Sequence, residues 1–172
     1  MELKATITAK GPMFDGRGPE IIRRDLLAVM HEATSLLEGK VRDKTPQGVY
    51  GMQGGLRASI HGEVVEQGVS VMGIVGHGKG TYGDVVEYGR RPGQKMPPKG
   101  ALIRWVELRT GLSGKAAQSV EFLIRRKIGK EGFEGAHMFE KTWTECQGAL
   151  QRMFRRAGFD IAFHLTEGGS RP

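Results

Sequence analysis

The chain has 172 residues and a formal net charge of +7, with 26 Lys and Arg against 19 Asp and Glu, a length that suits one domain. Glycine, at 27, is about twice its usual share, while Leu, Ile, Val and Phe together number 40, enough for a core but a modest one. No apolar run approaches the ~20 residues of a membrane span. Met1-Glu2-Leu3-Lys4 lacks the apolar stretch of a signal peptide, and the single Cys146 excludes an internal disulfide and fits a reducing compartment.

The opening residues alternate. Leu3, Ala5, Ile7 and Ala9 interleave with Lys4, Thr6, Thr8 and Lys10, the pattern of a half-buried strand. A turn-rich stretch follows, and Pro19 suits the first turn of a helix. Ile22, Leu26, Val29, Ala33 and Leu36/Leu37 recur every three or four residues, which predicts a long amphipathic helix over 19–44. Thr45-Pro46 stops it. After a glycine-bearing loop over 46–55, β-like segments at 57–66 and 69–76 flank Gln67-Gly68 and read as a hairpin. A short apolar piece over 85–88 leads into a Pro/Gly/basic loop over 89–99, long enough to protrude. That loop is either an untethered surface loop or an arm that orders against a neighbouring subunit.

The last third reads as helical. Residues 101–108 form a short helix. Val120, Leu123, Ile124 and Ile128 share a face of a second, and Phe139, Trp143, Cys146, Leu150 and Met153/Phe154 share the apolar stripe of a third. Gly158 suits a left-handed helix stop. Phe159, Ile161, Phe163 and Leu165 then alternate with Asp160, Ala162, His164 and Thr166 as a final strand, followed by a disordered polar tail over 167–172. The expectation is a single α+β domain over 1–166. A small antiparallel sheet of about four strands, both terminal strands and the central hairpin, would be packed by the long N-terminal helix and the C-terminal helices.

The chemistry-bearing patterns are sparse. Gly73-Ile74-Val75-Gly76-His77-Gly78-Lys79-Gly80 matches a phosphate-binding loop up to Lys79, but Gly80 stands where the Mg²⁺-holding hydroxyl belongs, so it reads as a hairpin exit. His31, His61, His77, His137 and His164 have no ligand spacing among themselves or with Cys146, so no metal or other cofactor is expected. Cys146 lies on an apolar stripe, and Ser59 lacks nucleophile-elbow glycines. The charge is uneven: residues 1–90 hold 11 basic and 11 acidic side chains, and residues 91–172 hold 15 and 8. Two helical clusters stand out, Arg125, Arg126 and Lys130, and Arg152, Arg155 and Arg156. They suit DNA or an acidic protein partner, or are simply solvated.

Several segments, in order over about 19–165, together resemble the tail-completion (minor tail component, neck) family of long-tailed bacteriophages. They are Thr45-Pro46 with Gly55-Leu56-Arg57-Ala58-Ser59-Ile60, then Val75-Gly76 and the stretch from Tyr82 through Val86-Glu87-Tyr88-Gly89-Arg90-Arg91-Pro92. Met96-Pro97-Pro98 with Trp105-Val106, and Arg126-Lys127-Ile128-Gly129-Lys130-Glu131-Gly132 with Met138-Phe139, complete the set. The resemblance implies a structural virion protein without catalysis. It would form a homo-oligomeric ring, hexameric or twelvefold, at the head–tail junction or the top of the tail. Connector or head-closure and tail-tube or tail-terminator proteins would be its neighbours, with non-specific DNA contact in the channel and assembly in the host cytoplasm. Subunit-interface residues would then be Arg57, Tyr82, Glu87, Tyr88, Arg90, Arg91, Pro92, Lys95 and Met96, with Glu87 pairing Arg57 or Arg90 across a seam. The alternative is a cytoplasmic DNA-binding module using the basic C-terminal half.

Overall fold

The computed structural model describes residues 11–48, 55–68, 70–78 and 82–167. The elements are α1 (Gly18–Lys44), α2 (Gly55–Ser59), β1 (Ile60–Gln67), β2 (Ser70–His77), α3 (Gly83–Tyr88), β3 (Gly89–Arg90), α4 (Ile103–Thr110), α5 (Gly114–Glu131), β4 (Phe133–Glu134) and α6 (Met138–Glu167). The class is α+β, with a long N-terminal and a long C-terminal helix, an antiparallel sheet of β1 and β2, and a second two-stranded sheet of β3 and β4. The strand expected over 3–10 lies outside the described residues, as does the tail from 168 onward; Glu167 still belongs to α6. The chain divides into two compact units, one of Met1–Leu36, Gly62–Ile74 and Cys146–Pro172, the other of Leu37–His61 and Val75–Glu145.

The second unit is built on Val41, Leu56, Ile60 and Met138, with Val75, Val86 and Phe139 packed against them. Its share of α1 ends where expected. The Thr45 hydroxyl donates to the Val41 carbonyl at 2.6 Å, and Pro46 prevents another turn. The Arg42 guanidinium donates to the Ile60 carbonyl at 2.7 Å, fixing the start of β1 to α1. That start is Ile60 and not residue 57, because Gly55–Ser59 coils into a helical turn with the Ser59 hydroxyl on the Leu56 carbonyl at 2.8 Å. Helices α4 and α5 pack together, with Val106 and Ala117 fully buried, and Gly111 turns the chain between them in the left-handed conformation.

The first unit holds α1 up to Leu36, the middle of the hairpin, and α6 from Cys146. Gly73 of β2 crosses α1 so closely that a Cβ there would run into the Thr34 hydroxyl and lie 2.9 Å from the Met30 sulfur. Arg23 forks onto Glu66 at 2.6 and 3.1 Å. In α6, Cys146 and Leu150 are buried and Met153, Ala157, Ile161 and His164 continue the covered stripe at three- and four-residue spacing.

Two expectations fail here. The segment 159–165 is not a strand, and Gly158 is not a stop: α6 runs through both, and Gly158 has no positive φ. Seven residues of alternation also fit a helix, and packing decides. Ile161 and His164 fall on the covered side, while Phe159, at 71% exposure, faces away from it. The end of this helix is held by the His164 Nδ1 to Asp25 Oδ2 contact at 2.7 Å and by Leu165 against Gly18. Trp143 and Phe154, expected in the core, are 56% and 41% exposed, since the apolar residues of α6 span more of its circumference than neighbours cover.

Burial pushes the Asp25 carboxyl up, but hydrogen bonds from His164 and Arg24 outweigh it and hold its pKa below the ordinary carboxylate value. Such a group contributes stability above its ordinary value of ~3.9, and that contribution disappears as pH falls through the lowered folded value. Asp25→Asn is therefore expected to lower the urea midpoint near neutral pH, with the gap to the unaltered chain closing below about pH 4. A gap that does not change with pH would rule this out.

Candidate functional site

The two stretches richest in motif residues meet in the second unit. One leaves α3 through Gly89; the other leaves α5 through Gly132 and enters α6 through His137. They pair antiparallel, Gly89 opposite Glu134 and Arg90 opposite Phe133. Beyond this pair, the Ala136 N–H donates to the Val86 carbonyl at 2.7 Å and the His137 N–H to the Glu87 carbonyl at 3.1 Å. Glycine is required at three points. A Cβ on Gly89 would strike the Phe133 carbonyl, one on Gly132 the Arg90 carbonyl, and one on Gly135 the Glu87 carbonyl. Gly89 and Gly132 also have φ near +70° (71° and 69°).

This approach delivers a side chain. Glu87 is 5% exposed, and its two oxygens accept from the N–H groups of Phe139 and Glu140 at 3.0 and 3.1 Å. Those donors open α6, where the first four N–H groups have no partner inside the helix and the macrodipole is positive. The carboxylate thus replaces a side-chain cap from the helix itself. His137, with φ of 52°, sets the entry angle and places Nδ1 3.0 Å from Glu140 Oε2. On the other flank the His77 ring lies over Gly83, with Nε2 3.2 Å from Asp84 Oδ1 and its face tilted toward Phe139.

The loop expected to protrude over 89–99 is tied to α5. The Gly93 N–H donates to the Lys130 carbonyl at 3.3 Å, Arg125 Nε to the Pro97 carbonyl at 2.7 Å, and the Gly100 N–H to Glu121 Oε1 at 2.7 Å. Met96 and the Gln94 carbonyl lie against Gly129, where a Cβ would sit 3.0 and 3.1 Å from them. Glu121, 2% exposed, was not singled out from the sequence. Its signal is a lone carboxylate on the face that also holds Ala117, Ile124 and Ile128.

Comparison of the chain with family models, curated proteins and solved structures finds no match. The residues themselves carry the functional reading.

The side chains expected to pair across a seam between subunits each have partners within the chain. Glu87 is inside, on α6; Arg57 lies 3.5 Å from Asp43; Arg90 donates to the Lys95 carbonyl. Tyr82 is half exposed with its hydroxyl beside Gly48, Tyr88 is 75% exposed, and Arg91, Pro92, Lys95 and Met96 are exposed along the tied loop. Among the basic candidates, Arg125 is inside: its side chain is 12% exposed, beside Glu121 at 3.7 Å. Arg126 and Lys130 are exposed in the second unit, and Arg152, Arg155 and Arg156 in the first, where Arg156 lies 3.8 Å from Asp160. The glycines Gly129, Gly132 and Gly135 are points of close backbone contact. Lys79 and Gly80 lie outside the described residues, and the strand before them leads into a helix of only six residues, Gly83–Tyr88. Among the described residues no cluster of His, Cys, Asp and Glu is placed to hold a metal ion, and no helix is long and apolar enough to cross a membrane.

Glu87→Ala removes the acceptor of two part-buried N–H groups and is expected to cost about 3 kcal/mol or somewhat more, since charged hydrogen bonds contribute about 1.5–3 each. Glu87→Gln keeps one acceptor and is expected to cost about half as much. Urea denaturation followed by far-UV circular dichroism measures both, and an unchanged midpoint for Glu87→Ala would remove the capping role.

Proposed function

We propose that this chain is a structural subunit of the neck or tail-completion ring of a long-tailed bacteriophage, assembling with its own copies and with the virion proteins above and below. One observation supports the reading most. The stretches that carry the resemblance, the Val-Glu-Tyr-Gly-Arg-Arg-Pro segment from Val86 and the Arg-Lys-Ile-Gly segment from Arg126 onward to Phe139, are some forty residues apart in sequence and serve one junction. The motif residues there have structural tasks: glycines admit backbone, and Glu87 holds a helix. The exposed Tyr88, Arg91 and Lys95 beside that rigid junction are available to neighbouring subunits. A rigid element presenting exposed side chains suits a heterologous, ring-closing contact.

Electron microscopy of virions carrying a tagged copy is expected to place the label at the neck or the head-proximal end of the tail. Label elsewhere, or none on the particle, would end the proposal.

A second reading, a DNA-binding module, is favoured by Arg152 and Arg155. Both are exposed on the outer side of α6, with no carboxylate in ion-pair reach among the described residues. It predicts duplex binding at low salt that falls steeply as salt rises and weakens in an Arg152→Ala/Arg155→Ala variant. A gel shift absent at low ionic strength would exclude it.

A further inference from the structure

Helix α5 has a covered side and a free one, and the free side is unusual. The covered side is fully used. Ala117 and Glu121 are buried where α4 and the 100–102 turn pack, and Arg125 and Gly129 meet the 94–97 stretch. The free side carries Phe122 and Leu123, 48% and 60% exposed, with Arg126 and Lys130 one and two turns further along. The spacing i, i+4, i+8 of Phe122, Arg126 and Lys130 puts them in one row, and Leu123 lies beside it. Neither Arg126 nor Lys130 has a carboxylate within ion-pair distance among the described residues, whereas Lys127, one turn beyond Leu123, lies 3.9 Å from Glu131.

We infer that this free face of α5 docks a different protein through an acidic surface with apolar side chains at its centre. A large apolar pair with cations at its margin has the anatomy of a protein interface, an apolar core with a charged rim. Charge complementarity selects the partner's sign, because both cations lack a counter-ion among the described residues and a carboxylate-bearing surface satisfies both. A second copy presenting the same face would set Arg126 and Lys130 against their own equivalents, which opposes a two-fold contact. Nucleic acid uses the cations but not Leu123, and one phenylalanine makes no stacking platform. The inference does not depend on the virion reading, since any partner of this chemistry fits.

Site-specific photo-crosslinking tests it. A photo-reactive phenylalanine analogue replaces Leu123 in the full chain, in the cells whose genome encodes it, with the same residue at exposed Gln147 as control. The expected product joins Leu123's position to one other protein, and the cross-linked peptide, identified by mass spectrometry, carries Asp or Glu flanking apolar residues. Arg126→Glu with Lys130→Glu is expected to cut the yield by on the order of tenfold or more. Both positions are exposed, and an unchanged melting curve shows that the fold survives. A cross-link to a second copy, a nuclease-sensitive product, no product, or a yield unaffected by charge reversal would each overturn the inference.

Discussion

A buried carboxylate at the head of a 30-residue helix orders much of the second unit. Glu87 is 5% exposed, and no cation lies within ion-pair distance among the described residues. Its balance comes from the two N–H groups it accepts and from the positive end of the helix dipole. The donors are partly buried, and Met138, immediately before them, is fully buried in the core with Ile60 and Leu56. The start of α6 can therefore enter that core only where Glu87 meets it. Glu121 repeats the device on a smaller scale: the turn before α4 has no side-chain cap from its own residues, and Glu121 accepts the Gly100 N–H from outside.

The reach of one carboxylate sets how close the backbones must come, and that closeness accounts for a share of the glycine. At Gly89, Gly132 and Gly135 any side chain would displace a carbonyl of the crossing strand. Gly83 stands under the His77 ring and Gly73 over the Thr34 hydroxyl, in the same relation to a side chain. An excess of glycine suggests flexibility when counted over a whole chain. At these positions it does the reverse, because removing Cβ lets main-chain groups lock to one another. The tied 89–99 loop follows from this at Gly129, which admits the loop's backbone onto α5, where Arg125 and Glu121 hold it.

Elements governed by their own residues were legible in the sequence. The long first helix, its stop at Thr45-Pro46 and the hairpin around Gln67-Gly68 depend on local periodicity and turn chemistry, and the structure has all three. The end of α6 was misread because Phe159 to Leu165 fit both periods, and the deciding contact, His164 with Asp25, spans 139 positions in sequence. The apolar sector of α6 is wider than the part that is covered, so Trp143 and Phe154 share its apolar stripe without entering a core. The caps were invisible for the same reason: a glutamate that closes another element's helix carries no local mark. The motif segments around Glu87 and Gly132 were recognisable, but their meeting was not.

The excess of positive charge resolves in the same way once partners are assigned. Arg125 belongs to the interior with Glu121, and Arg23, Arg42 and Arg57 are matched to Glu66, Glu38 and Asp43. Several cations, among them Arg91, Lys95, Lys99, Arg109 and Lys115, have no carboxylate in ion-pair reach among the described residues; two such sets share a helix face, Arg126 and Lys130 on one unit and Arg152 and Arg155 on the other. Their surroundings differ. The first pair borders Phe122 and Leu123, an apolar centre that rewards a packed protein surface; the second sits on a helix face whose nearest exposed aromatics are Phe154 and Phe159. Coulomb attraction alone does not distinguish the two pairs, because at exposed positions it is screened within about 10 Å. Exposed apolar side chains stand beside both pairs, and their burial against a partner would add a contribution that salt does not weaken. A single acidic ligand inferred from net charge is therefore too coarse a description: each pair of cations takes its specificity from the side chains beside it.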